Sequence, residues 1–141
     1  MHELNQEFVE KIAALCRRKR RYRMGAYAFM QDAVLFTIDL NTREKGPDQG
    51  RRHISGQELL DKIRQLLLLK YGPMARQVLD YWGVAKTEDF GEIVFDMVAL
   101  ELLSVNPEDN IDDFAHGYDF EDAFVKPFQV SGRVPELPKL D

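Results

Sequence analysis

The chain has 141 residues, of which 45% are hydrophobic and 30% charged, a composition that fits one soluble globular domain and excludes a disordered or collagenous chain. Its single cysteine, Cys16, excludes an internal disulfide framework and a four-cysteine zinc site, and no apolar run is long enough for a transmembrane helix. The net charge of −5 conceals a polarised chain: six of the seven residues Arg17–Arg23 are basic, whereas fourteen acids face three bases from Thr87 onward. Segments of opposite sign can attract within one fold, bind charged partners or pair between copies. The N-terminus is acidic and lacks a signal-peptide core, so a cytoplasmic location is expected.

Residues 3–16 predict an amphipathic helix, with Leu4, Phe8, Ile12 and Leu15 at helical spacing and Glu7–Lys11 as a favourable i,i+4 pair. A second helix is expected over about 24–41. Tyr27, Met30, Val34 and Ile38 form one apolar row beside Phe29, Ala33, Phe36 and Leu40, so this helix should be central and buried on most sides. The β-prone stretch Val34–Ile38 leaves a strand as the lesser reading. Residues 45–52 form a Gly/Pro-punctuated loop. Ser55-Gly56-Gln57-Glu58 then fits a capping box, with Ile54 and Leu59 placed as a hydrophobic staple. The helix it opens runs to about 70, with Leu59, Ile63, Leu66 and Leu67 inward, and Gly72 ends it. Pro73 opens a helix over about 73–82 that buries Met74, Val78 and Leu79 or Trp82 before Gly83 stops it. Thr87 is placed to cap a fifth helix over about 88–103, with Glu88 and Asp89 in its dipole-favoured first turn.

After Ser104 the turn signal Asn106–Asn110 and the apolar–polar run Phe114–Phe120 leave room for a short hairpin. Helix, glycine-bounded turn, helix, helix and hairpin is the element order of a winged helix, with 56–70, 73–82 and 88–103 as its helices and Leu103 to Phe120 as its wing. The expected architecture is therefore mainly α: a five-helix single domain over 1–130 with a small β-hairpin and a winged-helix-like C-terminal part. Residues 131–141, with Pro135 and Pro138, are expected to form a disordered tail.

The basic run Arg17, Arg18, Lys19, Arg20, Arg21 and Arg23 is the sharpest polar feature. It reads as a phosphate or nucleic-acid footprint with Tyr22 and Tyr27 to stack, joined by Arg51 and Arg52. The preferred reading is a solvated linker whose guanidinium groups pair with the acidic C-terminal half. Glu88, Glu92 and Asp96 lie one turn apart on the fifth helix and form an acidic stripe that would repel phosphates. That stripe either faces solvent or meets a basic patch of this chain or of a partner. Metal binding has a single candidate, His116 near Asp112, Asp113, Asp119 and Glu121, without supporting ligand spacing, so no metal and no cofactor is assigned. His53 suits a helix entry. Cys16 precedes arginines whose field favours a thiolate, but it stands on the packing side of its helix with no histidine near it in sequence. No nucleophile elbow or phosphate loop occurs, and no catalytic residue is assigned.

His53–Leu60, Tyr71–Ala75, Trp82-Gly83-Val84, Thr87–Phe95 and Gly117–Phe120, with Arg21-Tyr22 and Ala26-Tyr27, resemble a small protein family restricted to planctomycetes and verrucomicrobia. The resemblance spans about residues 20–128, and Thr87–Phe95 is its most specific block. That family carries no assigned activity, so the resemblance implies no catalytic residue. Cys16–Arg20 departs from it in being more basic. Within the matching blocks Gly91 stands in a helix, where glycine costs about 1 kcal/mol relative to alanine, so another helix is expected to cross there closely. Gly117 is expected at a left-handed turn or a close contact.

The expected function is that of a non-enzymatic interaction module or adaptor that meets a protein partner through its charged faces. A nucleic-acid-binding, winged-helix-like regulator using Arg17–Arg23 is the alternative.

Overall fold

Asn5 starts the first helix by accepting the Phe8 amide on its side chain at 2.7 Å. In the computed structural model, which describes residues 5–46, 54–103, 111–115 and 117–129, this helix, α1, spans Gln6–Lys19. It runs past the predicted end because Arg17, Arg18 and Lys19 form its last turn, where cations complement the helix dipole. Arg20 closes it in the left-handed conformation, its amide bonded to the Cys16 carbonyl.

The second helix, α2, spans Met24–Lys45 and takes up the β-prone stretch without a break. Tyr27, Met30, Ala33 and Val34 are buried, and so are Phe29 and Thr37 on neighbouring faces. The Thr37 hydroxyl is satisfied by the Ala33 carbonyl one turn back. A helix apolar on so many sides needs neighbours on so many sides, and α2 has them: α1 and the three helices that follow all pack on it. Fully burying each large apolar side chain contributes about 1.5–3 kcal/mol.

Ser55 accepts the Glu58 amide at 3.0 Å and opens α3, Gly56–Tyr71; Ile54 and Leu59 are both buried beside it. Gly72 ends α3 at positive φ, and Pro73 lies in a 3-10 turn, Gly72–Met74, before α4, Ala75–Trp82. The single helix expected over 73–82 is thus split, and Met74 is exposed rather than buried. Gly83 closes α4 in the left-handed region: its amide bonds the Asp80 carbonyl while the Val84 amide reaches Leu79, the Schellman arrangement.

The fifth helix, α5, is Thr87–Ala99. Its cap is Asp89 rather than Thr87: Asp89 Oδ2 accepts the amides of Ala85 and Lys86. Thr87 is released for a different contact, its hydroxyl donating to the Phe114 carbonyl at 2.7 Å and accepting the Gly117 amide at 3.3 Å.

The expected wing is not found where the chain is described, and its turn, Asn106–Asn110, lies outside the described residues. Among the described residues there is no strand, and Ile111–Phe114 is a 3-10 helix laid against α5. The Thr87 side chain satisfies backbone groups there that a hairpin would have paired across strands. Phe120 and the π-helical turn Glu121–Val125 follow, with Asp119 accepting the Glu121 amide. Phe120 and Phe124 pack at 5.4 Å between ring centres, and Phe120 meets Phe90 of α5 at 5.6 Å. The architecture is therefore mainly α-helical, and the winged-helix reading fails for want of its wing. Residues 131–141 lie outside the described residues. No described helix is long and apolar enough to cross a membrane.

Candidate functional site

Folding sorts the basic run into two sets. Lys19, on the last turn of α1, places its ammonium 2.9 Å from Asp96 Oδ2 and 3.0 Å from Glu92 Oε1. Arg21 reaches the same helix, with Nε 3.1 Å from Glu92 Oε2 and Nη2 3.2 Å from Asp89 Oδ1. Two of the three stripe residues, Glu92 and Asp96, therefore meet a basic patch of their own chain, while Glu88 stays beside the Thr87 hydroxyl. Arg17, Arg18 and Arg20 are exposed and have no ion-pair partner among the described residues. Arg23 lies over the ring of Tyr81, 4.2 Å from its centre, and donates from Nε to the Tyr81 carbonyl at 2.8 Å. Arg51, Arg52, His53 and His116 lie outside the described residues. Among the described residues, no three His, Cys, Asp or Glu side chains converge as a metal site would require.

Between the two charged layers sit two tyrosines that the sequence offered as stacking platforms. Tyr22 and Tyr27 are instead buried, 3% and 1% exposed, and only their hydroxyls meet the acids. Tyr27 donates to Asp96 Oδ2 at 3.0 Å, and Tyr22 donates to Asp89 Oδ1 at 2.7 Å with Glu92 Oε2 also in contact. One phenol proton thus bridges two carboxylates, and Arg21 Nε donates to the phenol oxygen. Burial, and then the adjoining carboxylates, push both phenols far above the ordinary tyrosine range, so they remain neutral donors. Sequence reasoning missed this network. Its one trace was the placement of Asp89, Glu92 and Asp96 along one side of α5, opposite a chain segment alternating cations with Tyr22.

Burial works to raise the Glu92 carboxyl, but donation from Tyr22 and Lys19 outweighs it and holds the group below its usual range. A depressed carboxyl stabilises the fold above its unfolded-state pKa of about 4.3 and loses that contribution as pH falls through the folded value. Glu92→Gln is therefore expected to cost about 1–2 kcal/mol at neutral pH. Its deficit against wild type should vanish in acid, as urea midpoints measured between neutral pH and about pH 3 would show. A deficit independent of pH would mean that the carboxylate charge is not what Tyr22 and Lys19 recognise. Lys19 moves the other way: burial lowers it, yet the hydrogen bonds it donates to Asp96 and Glu92 prevail and raise it. Its contribution is complete below the unfolded value of about 10.4 and is lost only as pH rises through the folded one.

Beside the basic run lies an open groove of about 550 Å³, bounded by Cys16, Arg20, Arg21, Arg23, Tyr81 and Trp82. Trp82 belongs to the core, packed 5.4 Å from Phe29 and 5.9 Å from Tyr71, as the sequence led us to expect. Tyr81 beside it is 64% exposed. Cys16 offers no activated thiol: burial raises its pKa, and Sγ lies 3.5 Å from the Tyr22 carbonyl. No known family model, curated protein or solved structure matches this chain.

Proposed function

We propose that this protein is a non-enzymatic protein-interaction module whose contact surface is the set of arginines left over by its own internal charge pairing. The observation that carries this reading is the division of one basic run. Lys19 and Arg21 are spent on Asp89, Glu92 and Asp96, whereas Arg17, Arg18 and Arg20 project from the end of α1 without an ion pair among the described residues. Three uncompensated guanidinium groups on one helix end repel each other, and a partner of opposite charge relieves that cost while steering the encounter. The family resemblance of residues 20–128 is part of this proposal and adds no reaction to it.

The full chain, immobilised by a tag and exposed to extract of its native host, should retain a partner at about 50 mM salt and release it at about 300 mM, where screening shortens the reach of surface charge. An R17Q/R18Q/R20Q variant should fail to retain it at either salt concentration. A strictly monomeric protein with no salt-sensitive partner would overturn the module reading. The nucleic-acid alternative has lost its winged-helix scaffold and two of its six cations, and it predicts binding of random oligonucleotides at low salt.

A further inference from the structure

The geometry points to the groove between Arg20, Arg23 and Tyr81 as a docking site for a short carboxylate-rich peptide segment of a partner protein; this deepens the module reading and rests on it. The groove is built by backbone more than by chance exposure of side chains. Gly83, at φ +85, brings the end of α4 so close to the link before α2 that a Cβ there would stand 2.8 Å from the Arg21 carbonyl oxygen. The Arg23 amide bonds the Trp82 carbonyl at 3.1 Å across the same junction. Arg23 is further fixed by its Tyr81 stacking and by the Nε bond, and its two terminal amino groups make no hydrogen bond among the described residues. A side chain already held in place loses little entropy on binding.

The preferred ligand follows from what the same segment does toward α5. There, alternate members of the run grip a row of carboxylates spaced one helical turn apart, Asp89, Glu92 and Asp96. Arg20 and Arg23 are exposed members of the same run that line the groove, so a partner segment carrying acids is offered cations of the same kind. Arginine clusters are a recurrent means of reading acidic motifs. The volume, about 550 Å³, suits a few side chains rather than a folded domain. The exposed Tyr81 ring supplies an apolar lip for a residue flanking the acids. Nucleic acid fits less well. Arg21 lines the groove while bonded to Glu92 and Asp89, so an extended polyanion leaving the groove meets carboxylates well within a screening length of about 8 Å.

The probe is a fluorescein-labelled peptide of about twelve residues, with glutamates one helical turn apart and a central phenylalanine, titrated against the full chain by anisotropy. A lysine-substituted peptide and a single-stranded thymidine oligonucleotide of similar length serve as comparators. Saturable binding of the acidic peptide is expected, weakened about tenfold by R20Q/R23Q and again between about 50 and 300 mM salt. Y81A should weaken it by a smaller factor. Thermal melts guard against misfolding, and R20Q, at an exposed side chain with no ion pair or hydrogen bond among the described residues, gives a test that does not depend on R23Q folding well. No saturable peptide binding at low salt, undiminished binding by R20Q/R23Q, or tighter binding of the oligonucleotide would each overturn the proposal. If the extract experiment still yields a salt-sensitive partner, the groove assignment fails alone; if it yields none, the module reading fails with it.

Discussion

Exchanging Asp89 for alanine is expected to lower the unfolding free energy by about 3 kcal/mol, read from urea denaturation midpoints. Asp89 is 3% exposed and receives four donors: the Tyr22 hydroxyl at 2.7 Å, Arg21 Nη2 at 3.2 Å, and the amides of Ala85 and Lys86 at 2.8 and 3.2 Å. Loss of the cap alone costs about 1 kcal/mol. The remainder comes from hydrogen bonds to an ionised acceptor, each contributing about 1.5–3 kcal/mol, less what solvent returns to the exposed Arg21. Asp89→Asn separates the two contributions. Its carbonyl oxygen can still receive the two amides, but its amino group then confronts Tyr22 and Arg21, which are themselves donors. A loss about half that of the alanine variant is expected, and Tyr22→Phe should cost about 1–2 kcal/mol because Asp89 keeps its other three donors. An alanine variant within about 0.5 kcal/mol of wild type, the range of ordinary surface substitutions, would show that this network contributes little to stability.

The helical skeleton was legible because short-range rules decide it. Ser55 caps α3, Gly83 ends α4, and the apolar rows from Tyr27 to Leu40, interrupted by few polar residues, announced that α2 would be the central helix. Failures came where a side chain had two uses and the winner was set by distant residues. Thr87 is a good cap residue by type, but Phe114 and Gly117 claim its hydroxyl, and the cap falls to Asp89. The run Phe114–Phe120 alternates as a strand would, yet Phe114, Phe120 and Phe124 find a better use as plugs against α3, α4 and α5 than as one face of a hairpin with no sheet to cover. Of the basic run, charge counting could show that acids elsewhere would balance it. It could not show which cations would be spent: that depends on where the tertiary fold sets the end of α1 relative to the acids of α5, which brings Lys19 to Glu92 and Asp96 and leaves Arg17, Arg18 and Arg20 exposed.

Gly91 tests the closeness of that packing most directly. The expected crossing is present, made by the 3-10 helix Ile111–Phe114: a Cβ at Gly91 would stand 2.9 Å from Cβ, Cγ and Cδ2 of Phe114. These atoms are the root of the side chain rather than a flexible end, and Phe114 is 3% exposed with its carbonyl held by Thr87. Alanine gains about 1 kcal/mol of helix propensity over glycine, but overpacking against a fixed ring costs about 1–3 kcal/mol. Gly91→Ala is expected to lose about 1–2 kcal/mol on balance, with a matching fall in Tm. Phe114→Ala should lose more, about 3–5 kcal/mol, because a buried aromatic ring leaves a cavity that its neighbours cannot fully close. The two substitutions together decide the cause. With the ring gone, two of the three close contacts disappear, and Gly91→Ala should turn neutral or stabilising, a coupling of about 1 kcal/mol or more. Additive losses would place the cost of the alanine elsewhere, and a Tm raised by Gly91→Ala in the otherwise native chain would mean that Phe114 does not press on α5 at all.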